Sequence, residues 1–517
     1  MYNNNQFTMQ VPFIDMDSYT PDAKVLEYIK ESTSKKLKAL PLFKVKKFLV
    51  MAMVNTSDFI ALNELKRETG LDIYPVTANE TSITKAINHF YQRVDSLQDE
   101  LKPIIQSLKG NKLPVEDKQL QMKTALMEEQ KPVIQLVNSL VKQAVKIQAS
   151  DIHLEPDEKK FRLRYRVDGI LNELATFPLD MYHYIVSRIK IISNLDITES
   201  RLPQDGRAKL MIEDKEIDLR VSTFPTVYGE NVVIRVLDRS ILNFDMSNLG
   251  LSKEIMPPFT KAINEPYGII LVAGPTGSGK TTTLYAILNA INTISKNIVT
   301  VEDPVEFNMT MIRQSQINPK AGLTFASGLR SILRQDPDVI MVGEVRDLET
   351  AEIAIQAALT GHLVFSTIHT NDAPSTMARL TDMGAEPFLL ASSINAIISQ
   401  RLVRKLCLEC REAYTPDHNF YKNLGIVDIT EGMVFYRHKG CIHCRNQGYI
   451  GRTGIYELMF TNDKIKELVV KKASSSEIRQ AALANGMITM FDDGLQKVIA
   501  GITTIDEVLR VTKLRVD

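Results

Sequence analysis

The sequence of 517 residues lacks the features that mark several common classes of protein. No run approaches the roughly 20 apolar residues needed to span a bilayer, and residues 1–10 lack the basic-then-apolar pattern of a secretory signal. Lys plus Arg and Asp plus Glu both number 62, so no net charge favours nucleic acid or an anionic membrane. We therefore expect a soluble, cytoplasmic protein with no transmembrane segment and no nucleic-acid partner.

Cysteine is also scarce, and its placement is informative. The only four cysteines are Cys407, Cys410, Cys441 and Cys444, which form two Cys-x-x-Cys pairs. In a reducing compartment such pairs favour a metal over disulfides. Two pairs complete a tetrahedral four-thiolate zinc site with no open position, which predicts a structural role. The alternatives are four free thiols and a ligand role for His443, which we interpret as a spectator.

A phosphate-binding loop dominates what is present. A short apolar run, Ile269 to Ala273, precedes the pattern Gly-x-x-x-x-Gly-Lys-Thr and a helix-prone stretch. Its glycines permit a concave backbone that faces anionic oxygens. Lys280 is predicted to reach the β- and γ-phosphates, and Thr281 to bind Mg²⁺ with Thr282 beside it. The predicted nucleotide-binding residues are Gly274, Pro275, Thr276, Gly277, Ser278, Gly279, Lys280, Thr281 and Thr282.

Three further apolar strands end in titratable residues. One ends in Glu302, with Asp303 next to it, the second in Glu344, with Asp347 shortly after it, and the third in His369. Carboxyl ends of parallel strands meet at one edge of a sheet, so these groups predict a hydrolytic site. Helix capping is the alternative for Asp303 and Asp347. The sequence has no Asn-Lys-x-Asp tetrapeptide, which favours ATP over GTP.

The rest of the chain shows alternating patterns of helix and strand. Before residue 92 we expect a strand at 48–54, a helix closed by Gly70, a second strand and a helix carrying Ile83, Ile87, Phe90 and Tyr91 on one face. An amphipathic helix near 133–148 is then followed by several strands. One of these, 161–171, places Arg162, Arg164 and Arg166 on one face.

These motifs resemble those of the hexameric ATPases that assemble type IV pili and drive type II secretion. The resemblance covers nearly the whole chain. It rests on ASDIHLEP at 149–156, RYRVDG at 164–169, RLPQDGR at 201–207, LRVSTFPTVYGENVVIR at 219–235, GPTGSGKTTT at 274–283, VEDPVE at 301–306, RQDPDVIMVGEVRD at 334–347, TGHLVFSTIHTNDA at 360–373 and GYIGRTGIYE at 448–457.

The resemblance implies roles for individual residues. Glu302 becomes the best candidate for the general base, Glu344 takes the place of the usual aspartate, and His369 lies near the γ-phosphate. The preceding domain of the family folds over the nucleotide and supplies arginines. Arg207, Arg220 and Arg235 lie in the matching motifs and are the candidate lid or trans-acting arginines.

The resemblance also implies an α/β fold in four parts. These are a small N-terminal docking or regulatory domain at 1–103, a linker at 104–130, a PAS-like α+β domain at 131–245 and a RecA-like ATPase domain at 246–517 with a zinc insertion at 405–447. Some members bind cyclic di-GMP in the first domain through a repeat containing Arg-Leu-Gly, which residues 1–100 lack.

We therefore expect a homo-hexameric, Mg²⁺-dependent ATPase with bound Zn²⁺, peripheral on the cytoplasmic face of the inner membrane. Its partner there is a platform protein. The tetracysteine insertion and the N-terminal domain favour pilus assembly or type II secretion, because the related retraction ATPases lack both. The alternatives are a nucleic-acid-stimulated motor and a nucleotide-gated scaffold.

Overall fold

The computed structural model describes residues 13, 14, 16, 23–87, 131–238, 244–417, 419, 422, 433–441 and 443–512. The chain divides into two compact units, Met1–Asp238 and Arg239–Asp517. The expected linker at 104–130 lies outside the described residues, as do Phe90 and Tyr91. Within the described part of the chain, no helix has both the length and the apolar character that a bilayer crossing requires.

The N-terminal part of the first unit is a three-stranded sheet with helices α1 (Glu31–Leu37) and α2 (Phe59–Thr69). Its strands are β1 (Ala39–Val45), β2 (Phe48–Met53) and β3 (Asp72–Thr77), in the order β1-β2-β3. Helix α2 begins where the Asp58 carboxylate accepts hydrogen bonds from two backbone amides, and it ends at Gly70, whose φ is 68°. The predicted strand, helix and strand are confirmed, whereas β1 was not predicted.

Residues 131–238 form a six-stranded antiparallel sheet in the order β6-β5-β4-β9-β8-β7. Its strands are β4 (Asp151–Pro156), β5 (Lys160–Val167), β6 (Ile170–Pro178), β7 (Gln204–Ile212), β8 (Lys215–Thr226) and β9 (Gly229–Asp238). Helices α3 (Lys131–Lys146) and α4 (Tyr182–Ile192) share a hydrophobic core with one face of the sheet. The predicted amphipathic helix is therefore confirmed as α3.

The segment 161–171 is not the single strand expected from the sequence. It turns at Asp168 and Gly169, whose φ angles are 49° and 86°, and returns as β6. An Asp-Gly pair favours this tight hairpin turn because both central residues need positive φ. The predicted alternation in β5 is correct, because Phe161, Leu163 and Tyr165 are buried and the arginines lie on the other face.

The second unit is built on a seven-stranded sheet in the order β12-β11-β13-β14-β10-β15-β18. The first six strands in this order are parallel to their neighbours, and β18 is antiparallel to β15. The strands are β10 (Gly268–Ala273), β11 (Ile298–Glu302), β12 (Arg313–Gln316), β13 (Val339–Val342), β14 (Leu363–Ile368), β15 (Ile394–Leu406) and β18 (Tyr449–Phe460), while β16 (Glu412–Tyr414) and β17 (Phe435–Arg437) form a separate pair.

Helices cover both faces of this sheet. They are α5 (Met256–Ala262), α6 (Lys280–Ile291), α7 (Phe325–Ile332), α8 (Leu348–Leu359), α9 (Ala373–Asp382), α10 (Pro387–Ser393), α11 (Asp463–Val470), α12 (Ser475–Ala484), α13 (Met490–Ile499) and α14 (Ile505–Val511). Strands β10, β13 and β14 are buried throughout, as the continuous apolar runs in the sequence predict. The predicted α/β fold with a parallel sheet is confirmed, and the carboxyl ends of β10, β11, β13 and β14 lie along one edge.

Candidate active site and metal centre

The loop from β10 to α6 has the backbone of a phosphate-binding loop. Gly274, Gly277 and Gly279 have φ angles of 153°, 77° and 89°, in the region that other residues rarely adopt. A Cβ atom on Gly274 would also lie 2.8 Å from the carbonyl oxygen of Gln400. Helix α6 begins at Lys280, with Gly279 at its N-terminal cap. The loop therefore has the left-handed positions of an anion-binding nest at the start of a helix.

Lys280 is held inside this loop. Its ammonium donates hydrogen bonds to the carbonyl oxygens of Gly274 at 2.9 Å and Pro275 at 3.0 Å. Burial lowers the pKa of Lys280 to about 8, and the carboxylate of Glu344 opposes this shift. The Ser278 hydroxyl is buried and has no hydrogen-bond partner among the described residues. A buried cation and an unsatisfied hydroxyl in one loop fit a bound phosphate.

The first turn of α6 displays Thr281 at the surface and leaves Thr282 half-buried. Both hydroxyl-bearing residues follow Lys280 directly, so they can supply the oxygen ligand that Mg²⁺ prefers. Pro275 and Thr276 are exposed at the outer part of the loop. The predicted nucleotide-binding residues thus form one continuous segment, made of the loop after β10 and the first turn of α6.

Gln400 contacts the phosphate loop and the helix that follows it, and it was not among the residues predicted from the sequence. Its side-chain oxygen accepts from the Thr283 hydroxyl at 2.8 Å, and its amide donates to the carbonyl of Ser278 at 2.7 Å. The neighbouring Arg401 donates to the backbone oxygen of Asn371 at 3.0 Å. The signal available in the sequence was a glutamine within the apolar run of a buried strand.

Glu344 and His369 lie beside Lys280. One Glu344 oxygen is 2.5 Å from the Arg346 guanidinium, and the other is 3.6 Å from Nε2 of His369. Burial lowers the pKa of His369, and the charge on Lys280 lowers it further, whereas Glu344 raises it. Arg346 also lies 3.8 Å from Asp303. The structure therefore brings Lys280, Glu344 and His369 together at the carboxyl edge of the sheet, as the sequence predicted.

Glu302 is placed differently from Glu344. Its side chain is buried and accepts hydrogen bonds from the hydroxyls of Tyr285 and Thr300 and from the amide of Gln314. Burial raises the pKa of Glu302, and these three donors act in the opposite direction. Its recorded hydrogen bonds within the described residues do not involve Lys280, Glu344 or His369. The assignment of Glu302 as the general base stays a prediction.

Asp303 and Asp347, for which helix capping is the alternative to a functional role, have different surroundings. Asp347 is the N-cap of α8, where its carboxylate accepts from the amide of Thr350 at 2.8 Å. Asp303 instead faces the guanidinium of Arg346. Capping therefore explains Asp347, whereas Asp303 belongs to the charged cluster around Glu344.

Arg207, Arg220 and Arg235 lie in the first unit and form one straight row. Arg207 is opposite Arg220 across β7 and β8, and Arg220 is opposite Arg235 across β8 and β9. Asp151 and Arg166 extend the row across β4 and β5. Because residues directly opposite in an antiparallel sheet share a face, all five lie on one face of the sheet.

Asp151 links two members of this arginine row. Its carboxylate is 3.3 Å from Nε of Arg235 and 3.4 Å from Nε of Arg166. Arg207 and Arg235 are exposed to solvent. Side chains of like charge directly opposite each other repel, so the row favours an anion at this surface.

The four cysteines lie together in one cluster that could hold a metal ion. Their sulfur atoms all lie within 4.8 Å of one another. Cys407 and Cys441 are 3.7 Å apart, as are Cys410 and Cys444. A tetrahedron with Zn–S bonds of about 2.3 Å has edges of about 3.8 Å, whereas a disulfide needs about 2.05 Å. The spacing fits one zinc ion held by four thiolates, and the exposed His443 is not part of the cluster.

Two family models match the chain. Residues 127–510 match the type II/IV secretion system protein family, and residues 9–97 match the MshEN domain. The Type IV pilus assembly ATPase PilB of Myxococcus xanthus is 44% identical over 503 residues, which are 96% of this chain and 88% of that protein. The Type II secretion system protein E of Xanthomonas campestris is 46% identical over 88% of this chain and 80% of its own length.

A solved structure agrees with these relatives. The pilus retraction motor PilT with bound ADP has a TM-score of 0.50 and 28% identity, over 73% of this chain and 97% of that one. The chain belongs to the type II/IV secretion system protein family, whose members include the ATPases of type IV pilus assembly and type II secretion.

Proposed function

We propose that this chain is a Mg²⁺-dependent ATP hydrolase that works as a homo-hexamer and powers type IV pilus assembly. The convergence of Lys280, Glu344 and His369 at the phosphate loop is the observation that carries the enzymatic part. The match to PilB over 96% of the chain supports the proposal of pilus assembly. Type II secretion is the second candidate, because its protein E is 46% identical.

In this proposal the residues of the second unit act directly on the nucleotide. Lys280 exchanges its loop carbonyls for the β- and γ-phosphates, and Thr281 and Thr282 offer hydroxyl oxygens to Mg²⁺. Mg²⁺ held by these hydroxyls would supply positive charge to the transferred phosphoryl group. Glu344, which leaves Arg346 when the phosphates arrive, orients the water around that group. His369 stays neutral at pH 7 and hydrogen-bonds near the γ-phosphate.

Additional positive charge comes, in this proposal, from the arginine row. The row consists of Arg207, Arg220, Arg235, Asp151 and Arg166. The phosphoryl group gains charge density on its outer oxygens in the transition state, and arginines stabilise it there. We propose that residues 131–245 close over the nucleotide and present this face to the phosphates within the ring. Closure would also move a platform protein at the inner membrane, and that movement is the mechanical output.

The test is Glu344→Gln. The substitution keeps the size of the side chain but removes its charge, so ATP binding should persist while kcat falls by about 100-fold or more. Turnover is measured by phosphate release, and binding by calorimetry. Glu349→Gln is the matched control, because Glu349 is an exposed residue of α8 that pairs with Arg330 at the surface. Unchanged turnover in Glu344→Gln would show that the Glu344 carboxylate has no role in hydrolysis.

The same variant separates the two candidate functions in the cell. In pilus assembly, replacement of the native gene by Glu344→Gln should abolish surface pili and leave protein export intact. In type II secretion, the same replacement should retain pili and leave export substrates inside the cell. The Glu349→Gln strain should behave as wild type in both assays.

A further inference from the structure

The side chain of Tyr285 lies between two glutamates of the acidic segment VEDPVE at 301–306. It is fully buried in the second turn of α6. Its hydroxyl donates to Oε2 of Glu302 and accepts from the backbone amide of Glu306 at 3.1 Å. A single oxygen atom therefore holds one side chain and one backbone amide of the segment.

Gln314 holds the carboxylate of Glu302 and the backbone that follows the acidic segment. Its amide donates to Oε1 of Glu302 at 3.1 Å and to the carbonyl of Phe307 at 2.9 Å. Its side-chain oxygen accepts from the amide of Met309 at 2.7 Å. The hydroxyl of Thr300 also donates to Oε1 at 2.6 Å. Glu302 is thus the common acceptor for Tyr285, Thr300 and Gln314.

Aromatic packing keeps Tyr285 in place. The rings of Phe244 and Phe307 contact it edge to face, with centroids 5.2 Å and 6.1 Å away, and they lie 5.3 Å from each other. The rings leave the hydroxyl of Tyr285 little freedom to leave Glu302.

This arrangement makes Glu302 a poor proton acceptor for a substrate water. Its side chain is only 3% exposed, and both of its oxygens already accept hydrogen bonds. A general base must reach the water that it deprotonates. Satisfied buried networks of this kind fix a unique local conformation.

The adjacent residue connects this network to the charged cluster. Asp303 lies 3.8 Å from Arg346, and Arg346 contacts Glu344 at 2.5 Å. Tyr285 belongs to the helix that begins at Lys280. The position of the phosphate-loop helix is thereby linked through Glu302 and Asp303 to the arginine that holds Glu344.

We propose that Tyr285 is a positioning residue for the acidic segment and that Glu302 is its buried anchor, not the general base expected from the sequence. The pair sets the position of Asp303 and, through Arg346, of Glu344. This inference rests on the proposed function, because its readout is the hydrolysis that Glu344 supports.

The test is a double-mutant cycle of Tyr285→Phe and Glu302→Gln on steady-state ATP hydrolysis. Each single variant should lower kcat by about tenfold with an unchanged KM for ATP, because a hydrogen bond to a carboxylate is lost while the residues of the phosphate loop are unchanged. The double variant should be no slower than either single one, because the two residues act as a unit. Tyr456→Phe is the matched control, since it removes another buried hydroxyl, which donates to the carbonyl of Leu249. Its kcat should equal that of the wild type.

Two results would overturn the proposal. One is a double variant whose kcat falls by the product of the two reductions measured in the single variants. The other is loss of all turnover in Glu302→Gln alone with full activity in Tyr285→Phe, which would make Glu302 the base. If Tyr285→Phe does not fold, Gln314→Met removes the facing donor and takes its place in the cycle. Absence of hydrolysis in the wild-type protein would instead refute the proposed function.

Discussion

The four-cysteine cluster and the phosphate loop each fit a ligand, but they differ in how much of each site is already in place. In the cluster, the sulfur pairs Cys407–Cys441 and Cys410–Cys444 are already at the separation that one zinc ion requires. In the phosphate loop, the ammonium of Lys280 is bound to backbone carbonyls and Glu344 is paired with Arg346.

The difference reflects what each site must do. A structural metal stays bound, so its ligands are fixed by short turns and by amides such as that of Gly448, which donates to Cys444 at 3.1 Å. A nucleotide enters and leaves at every turnover. Its site therefore keeps its charged side chains in temporary pairs that a phosphate can replace. The cysteine cluster is preformed, whereas the charged side chains at the phosphate loop can exchange partners. We therefore expect the two sites to respond differently to mutation and to pH.

The largest effect is expected where the preformed site is broken. Cys407→Ser with Cys410→Ser leaves two thiolates, and structural zinc contributes about 10 kcal/mol or more in small zinc domains. The variant should lose its zinc and become sensitive to proteolysis within 405–447. Metal content and limited digestion measure this.

His443→Ala provides the control for the zinc site. His443 lies between Cys441 and Cys444 in the sequence but outside the cluster. It should keep about one zinc per chain and resist digestion as the wild type does. Retention of zinc by the double cysteine variant would mean that the site is not the four-thiolate centre.

A smaller effect is expected from the arginine row, which tests whether the phosphate site is completed by another subunit. Arg207→Ala should lower kcat by about 100-fold without changing the fold, because Arg207 is exposed. Mixing these chains with inactive Lys280→Ala chains should restore about a quarter of the wild-type rate in a ring with trans-acting arginines.

Two controls make the mixing experiment specific. Arg162→Ala removes an exposed arginine that lies outside the row and pairs with Asp157, so it should keep its activity. Mixing Arg207→Ala with a chain that carries both substitutions should restore nothing. If the ATPase rate of the Arg207→Ala and Lys280→Ala mixture equals the average of the two separate rates, the arginine does not act in trans.

The smallest effect concerns the temporary contacts of Lys280. Its pKa is about 8 without nucleotide, and a triphosphate favours the charged form. Below pH 8 the lysine is already protonated, whereas above pH 8 it must gain a proton on binding, so affinity for ATP should fall as pH rises. Calorimetry at pH 9 in buffers of different ionisation enthalpy should detect uptake of about one proton.

The comparison with pH 7.5 is the internal control for this prediction. Uptake should be small there, because most of the lysine is charged before binding. Equal uptake at both pH values would show that the ammonium is not held in the loop by burial.

Sequence patterns predicted the parts of the sites that depend on local spacing. The loop at 274–281 and the two Cys-x-x-Cys pairs carry their geometry within a few residues, so both could be read directly. Because parallel strands end at one edge of the sheet, the sequence also predicted that Glu344 and His369 lie near the phosphate loop. The hairpin at Asp168 and Gly169 is also local, and its Asp-Gly pair is the signal in the sequence that marks the turn.

Contacts between distant residues were not accessible in the same way. Gln400 meets Thr283 across 117 positions of the chain, and Tyr285 meets Glu302 across 17. Which side of β11 carries Glu302 depends on the register of the strand and on the packing of α6. The row formed by Arg207, Arg220 and Arg235 likewise depends on the pairing of three strands.

Strand β15 connects the two sites compared above. It carries Gln400 beside the phosphate loop and ends at Leu406, next to Cys407. The segment from Gln400 to Leu406 spans roughly 20 Å of extended chain. Strand β18 pairs with most of this segment, and β10 pairs with the part of β15 before Gln400, so the strand resists sliding and bending. Its far end leads directly into the four-cysteine cluster, so a disturbance of that cluster can reach Gln400 and the phosphate loop through one continuous strand.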